Sequence, residues 1–300
     1  MFAEQEFISE GAILRGRWYS TKEPTISPCI VMCNGTSATV SMALSSYADE
    51  FQKNGFNVFL FDHVGFGRSE GKDRQTINPW VQGKGVADAA EFVKSQVASH
   101  NGKIILWGDS FSGMLVLVVA GLVDGLSGTI SFAASCGVKV LDFKNPRESL
   151  TALKTIFYAG EFDQLGDSVR EGPMPVVSSD QEANPSLLKP IQAFRWFIEQ
   201  GGQWNSGWEN RVTRVIPETD VPFSPLVTAP FIKAPVLMMI GKQDEMPQIS
   251  TDVQSEVFRR VKSKKQIYEI DGGHFGALYP DTPLFYEAID IQLKFIKSII

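Results

Sequence analysis

The chain has 300 residues, 43% of them hydrophobic and 11% aromatic, enough for one large domain or two small ones with a sizeable core. A formal net charge of −6, from 28 Lys and Arg against 34 Asp and Glu, argues against nucleic acid or an anionic membrane as a partner. The three cysteines, Cys29, Cys33 and Cys136, lie in or beside apolar runs, complete no metal site, and point to buried thiols in a cytoplasmic protein.

In chain order, residues 4–19 read as two strands turning at Glu10-Gly11. Met1 to Glu6 carry neither a basic start nor an apolar core, so no signal peptide is expected. Strands at 29–34 and 57–61 flank a helix near 41–54. Asn78-Pro79 is a helix start, Asn as cap and Pro at the first helical position, and this helix should run to about residue 98. Strands near 103–108 and 129–135 enclose a strongly apolar helix whose longest run, Met114 to Val123, is far short of a membrane span. Residues 138–228 break the rhythm. They hold Pro146, Pro173, Pro175, Pro185 and Pro190, many aromatic residues, helical pieces near 146–158 and 187–200, and no clear run of strands. A strand at 235–240, a helix at 249–262, a strand at 266–270 and a helix at 283–298 complete the chain. Strands alternating with helices imply an α/β fold with a mostly parallel central sheet covered by helices on both faces.

The hexapeptide Gly108-Asp109-Ser110-Phe111-Ser112-Gly113 joins an apolar strand to an apolar helix. A serine flanked by small residues at such a sharp turn is a nucleophile elbow, with its hydroxyl beside the free N–H groups of a helix start. A nucleophilic serine needs a base, and the base needs a carboxylate to orient it. Three histidines are available. His100 lies in a polar turn, Ser99-His100-Asn101-Gly102, at the strand end away from the elbow, and reads as a surface residue. His63 lies in a glycine-rich loop on the correct sheet edge but precedes the serine. His274, in Gly272-Gly273-His274-Phe275-Gly276 after the 266–270 strand, is the expected base. Asp244, in the loop after the 235–240 strand, is the expected acid and gives the order Ser110, Asp244, His274. Glu245 is its neighbour and rival, with a solvated charge as its ordinary reading, and Asp271 is expected to fix its own loop. Ser112 would lie inside the helix and is not expected to be the nucleophile.

With these residues in place, the chain resembles the α/β-hydrolase superfamily over 1–137 and 229–300. Cys29 to Thr36 resembles the strand and loop supplying the oxyanion hole, with Asn34-Gly35 where His-Gly is common. Asp62 to Gly71 resembles the next strand and its glycine-rich turn. Ser112 stands where Gly is usual. The resemblance implies that the N–H groups of Thr36 and Phe111 stabilise an oxyanion. It also implies that 138–228 is an inserted, mainly helical cap above the elbow, with Trp204 and Trp208 as candidate substrate contacts. The activity implied is cleavage of a carboxylic ester or thioester through an acyl-enzyme on Ser110, with no cofactor and no metal. The substrate would be a small-molecule acyl ester or thioester, free or carrier-bound. The stretch from Phe162 through Pro175 to Arg211 resembles caps of microbial hydrolases linked to polyketide metabolism. It keeps open an acyltransferase or thiohydrolase acting on a carrier-bound or secondary-metabolite acyl chain. A non-catalytic ligand-binding member of the fold is the third alternative.

Overall fold

A computed structural model describes residues 1–160, 162 and 168–300; the other positions of the 138–228 insertion, 161 and 163–167, lie outside the described residues. Eight strands form the main sheet: β1 (Ala3–Ser9), β2 (Ala12–Tyr19), β3 (Cys29–Cys33), β4 (Asn57–Phe61), β6 (Ile104–Asp109), β7 (Gly128–Phe132), β10 (Val236–Gly241) and β11 (Lys265–Ile270), in the order β1-β2-β4-β3-β6-β7-β10-β11. Only β2 runs against its neighbours; every pairing from β4 to β11 is parallel. The carboxyl ends of β3, β6, β10 and β11 therefore meet at one edge, where open parallel sheets place their ligands.

Strand residues explain the layering. β3, β4, β6, β7 and β10 are buried at every position. Side chains alternate across a strand, so both faces of a central strand must be apolar. Ile30, Met32, Ile105 and Trp107 face the layer holding α1 (Leu44–Lys53) and α8 (Pro283–Lys297). Cys29, Val31, Cys33, Ile104 and Leu106 face α2 (Pro79–Ser95) and α3 (Ser110–Ala120). The helix α7 (Thr251–Arg260) packs with α3 and β10. α3 is buried from Ser112 to Ala120 and lies against β6 and β7. Among the described residues, no helix is long and apolar enough to cross a membrane.

Residues 138–228, expected as a mainly helical insertion, carry two strands that the sequence did not announce. They supply α4 (Pro146–Ala159) and α5 (Ile191–Gly201), but also β8 (Val169–Met174) and β9 (Val212–Ile216). These two join β5 (Thr76–Ile77) of the flanking core in a second sheet, ordered β5-β9-β8. β8 is an edge strand with a register irregularity between Glu171 and Met174, which is how it accommodates Gly172-Pro173. The short α6 (Pro225–Thr228) leads back to the core. Aromatic residues fasten the insertion: Trp196 Nε1–H donates to the Leu278 carbonyl at 3.2 Å, and Trp196 and Phe197 pack on Phe275.

Helix starts follow the capping residues. Asn78 accepts from the Trp80 N–H, Ser250 from Val253 and Thr282 from Phe285, with Pro79 and Pro283 at the first helical positions. Thr282→Ala should cost about 1 kcal/mol, the usual worth of such a cap, and lower the urea midpoint accordingly. An unchanged midpoint would mean that α8 is held by packing alone.

Candidate active site

β6 runs without interruption into α3, so the chain reverses direction within one residue. Ser110 takes that turn with φ of +52°, a left-handed conformation that costs a non-glycine residue about 1–3 kcal/mol. The turn also forces strand and helix together. A Cβ on Gly108 would stand 2.3 Å from the Ser112 carbonyl oxygen, so no side chain fits there.

Three strand ends meet at the Ser110 hydroxyl. Ser110 Oγ lies 3.0 Å from His274 Nε2, and His274 Nδ1 lies 2.8 Å from Asp244 Oδ2. The other oxygen of Asp244 accepts from the Met246 N–H at 3.0 Å, which fixes the carboxylate at both ends. The side chains of Asp244 and His274 are 3% and 2% exposed. Glu245 is not a solvated bystander: its Oε2 accepts from the His274 N–H at 2.9 Å. A Cβ on Gly273 would meet Glu245 Oε2 at 2.5 Å, so a side chain there would displace the carboxylate from this position. Asp271 takes a hydrogen bond from the Gln243 side chain at 2.9 Å and ties the two loops together.

The other histidines have separate partners. His63 is buried and its Nε2 lies 2.8 Å from Ser112 Oγ and 3.2 Å from the Asn34 carbonyl, not at Ser110. His100 is buried rather than on the surface. Its Nε2 donates to the Val93 carbonyl at 2.8 Å and its Nδ1 accepts from the Gly102 N–H, so the backbone satisfies the whole ring.

A cavity of about 350 Å³ opens beside Ser110. Ser110, Thr36 and Phe111 contribute to it from the core; Leu188, Val215 and Ile216 contribute from the insertion. Among the described residues, its only charged lining residue is Arg214, which pairs with Glu171 at 2.8 Å. The Phe111 N–H belongs to the first turn of α3, whose amides have no intrahelical acceptor. The tryptophans expected as substrate contacts do not line this cavity. Trp204 is 93% exposed. Trp208 packs against Phe197 and Gly201, and its indole N–H donates to Ser37 Oγ at 3.2 Å, so it holds the insertion to the core. Among the described residues, no group of three or more His, Cys, Asp or Glu side chains is placed to hold a metal ion.

Burial shifts three nearby titrations. The Asp109 and Asp62 carboxyls are pushed up to about 6, chiefly by desolvation. Backbone N–H groups of Val40 and Arg68 oppose the shift at Asp62; at Asp109 the His274 charge and the Gly35 N–H do so. His63 is pushed down to about 4 by desolvation, with the Asn34 carbonyl opposing. A depressed folded value means that the unfolded chain binds the extra proton. His63 therefore contributes stability that is fully present above its unfolded value of about 6.5 and is lost as pH falls through about 4. Wild type should lose roughly 3 kcal/mol relative to His63→Gln between pH 7 and pH 4. Urea unfolding at several pH values measures this, and parallel losses in the two proteins would contradict it.

Known proteins share this geometry's framework. Residues 25–181 match the model of a family described as serine aminopeptidase, S33. A thiohydrolase, apmlB, of Arthrinium phaeospermum is 27% identical over 96% of this chain and 93% of its own length. A polyketide transferase, grgF, of a Penicillium species is 24% identical over 98% of this chain and 96% of its own. Among solved structures, the α/β hydrolase GrgF from Penicillium sp. sh18 superposes with a TM-score of 0.72 at 22% identity, covering 100% of this chain and 99% of that one. DcsB in complex with its substrate analogue gives 0.73 at 22% identity with the same coverage. These superpositions show the fold.

Proposed function

The chain belongs to the serine aminopeptidase S33 family of α/β hydrolases, and from that premise we propose that it cleaves a carboxylic ester or thioester through an acyl-enzyme on Ser110. The observation carrying this reading is the unbroken relay from Ser110 Oγ through His274 to Asp244, at 3.0 and 2.8 Å, on a serine held at positive φ.

Ser110 Oγ attacks the carbonyl carbon while its proton passes to His274 Nε2. Asp244 keeps the other ring proton on Nδ1 and stabilises the imidazolium. The oxyanion that forms is met by the N–H groups of Phe111 and Thr36. His274 then returns its proton to the departing alcohol or thiol. Water, deprotonated by the same nitrogen, attacks the acyl-enzyme, releases the acid and restores Ser110.

Residues 138–228 act as a cap that shapes the acyl site, and the 350 Å³ cavity takes the acyl chain. Likeness to a thiohydrolase over nearly the whole chain supports a thioester donor, free or carrier-bound. Likeness to a polyketide transferase supports a second reading, in which an alcohol or amine replaces water as acceptor. The three free, buried cysteines suit the reducing cytoplasm, where we place the reaction.

A fluorophosphonate should label Ser110; an adduct on Ser112, or labelling that survives Ser110→Ala, contradicts the assignment. Asp244→Asn should lower turnover by up to about 10⁴-fold, because an amide favours the wrong imidazole tautomer. Glu245→Gln should cost less than about tenfold, because its amide oxygen still accepts the His274 N–H. Reversal of these two effects would reassign the acid.

The acyl pocket has its own test. Activity should rise about fourfold per methylene, from about 0.8 kcal/mol each, until the cavity is full. Val215→Phe should move the optimum to shorter chains while leaving Ser110 labelling intact. An unchanged profile would place the acyl site elsewhere.

A further inference from the structure

The Asn34–Gly35 peptide is gripped at both of its polar ends by residues flanking the Ser110 turn. On one side its N–H, that of Gly35, donates to Asp109 Oδ1 at 2.8 Å. On the other its C=O, that of Asn34, accepts from the Ser112 hydroxyl, behind which stands His63 Nε2 at 2.8 Å from Ser112 Oγ. Asn34, His63, Asp109 and Ser112 are all buried.

The protons in this cluster can be placed. Ser112 has one hydroxyl proton and gives it to the Asn34 carbonyl. Its oxygen must then accept from His63, so His63 carries its proton on Nε2. That leaves Nδ1 as a bare acceptor, and among the described residues this buried atom has no partner. Desolvation pushes the His63 pKa down to about 4, which keeps the ring neutral near pH 7 with a single proton to assign. The result is a directed chain, His63 Nε2–H to Ser112 Oγ–H to Asn34 O, with His63 Nε2 also 3.2 Å from the Asn34 oxygen, so that both side chains hold the same carbonyl. Asp109 pulls on the opposite end of the same peptide plane.

We propose that Asp109, Ser112 and His63 are positioning residues: they lock the Asn34–Gly35 peptide and thereby aim the next N–H, that of Thr36, at the oxygen of the tetrahedral intermediate on Ser110. The inference rests on the acyl-enzyme reading above. A peptide plane beside glycine turns easily, because Gly restrains its φ and ψ least. An oxyanion donor works only when it is held where charge develops, without rearranging during the reaction. The clamp supplies that rigidity and couples it to the elbow, since both of its jaws lie within two residues of the nucleophile. It also gives a purpose to the hydroxyl at position 112, where the elbow pattern has a glycine that could donate nothing.

A boronic acid that forms a tetrahedral adduct on Ser110 reads the oxyanion donors directly. It is to be measured beside kcat and KM for the matching ester in wild type, Ser112→Ala, Ser112→Thr and Asp109→Asn. Ser112→Ala should lower kcat by about 10- to 100-fold, less than or equal to the loss of a whole oxyanion donor, and weaken the boronate by a similar factor. KM should stay within about twofold, because only transition-state contacts change. Ser112→Thr, which keeps the hydroxyl, should recover most of both losses. Asp109→Asn, isosteric but uncharged, should reproduce the effect more weakly, because its hydrogen bond to Gly35 loses charge assistance; it is the decisive variant if Ser112→Ala does not fold. A folded Ser112→Ala with unchanged kcat and boronate affinity overturns the clamp and leaves the acyl-enzyme reading intact. So does a fall in kcat with the boronate unaffected. Failure of the wild-type protein to bind any boronate overturns both.

Discussion

The turn at Ser110 is the constraint around which the remaining structure is arranged. A left-handed serine between a strand and a helix that are both buried survives only because its surroundings permit no alternative. Gly108 and the carbonyl of Ser112 are pressed together, Gly113 lies against the β7 exit, and α3 is sealed from Ser112 onward. The strain is local; the packing that holds it extends across both faces of the sheet. In return the hydroxyl stands clear of the sheet edge, at a helix start where free N–H groups favour negative charge.

Parallel strands then bring distant parts of the chain to the same edge. Asp244 and Glu245 follow β10, His274 follows β11, and Asn34 and Gly35 follow β3. The two adjacent carboxylates have complementary roles, Asp244 holding the imidazole ring and Glu245 the backbone that carries it. The Ser110–His274–Asp244 relay thus lies at the strand ends of the main sheet, whereas much of the cavity wall comes from residues 138–228.

The core was legible in the sequence because its signals are local. Runs such as Cys29–Cys33 and Ile104–Asp109 are apolar on both faces, and Asn78-Pro79 and Thr282-Pro283 announce helix starts. The elbow is equally local, and the order of Ser110, Asp244 and His274 can be read from the strand that each residue follows. What stayed hidden depends on partners distant in the chain. No strand was expected across β8 because 138–228 shows no clear run of strands and Gly172-Pro173 interrupts this one, yet an edge position beside β9 tolerates both. Trp204 and Trp208 look like pocket residues by composition, but one projects into solvent and the other docks on Ser37. Nothing near His63 in sequence foretells that its ring meets Ser112, and a polar turn gave no hint that backbone groups satisfy both nitrogens of the buried His100.

Where the acyl group goes decides whether Ser110 is the nucleophile. Wild-type protein mixed with a medium-chain acyl thioester, quenched in acid during the first turnovers and digested, should carry the acyl mass on the peptide containing Ser110. Ser110→Ala treated in the same way should carry none. Acyl mass on any other residue, or turnover by Ser110→Ala at the wild-type rate, would contradict the acyl-enzyme mechanism.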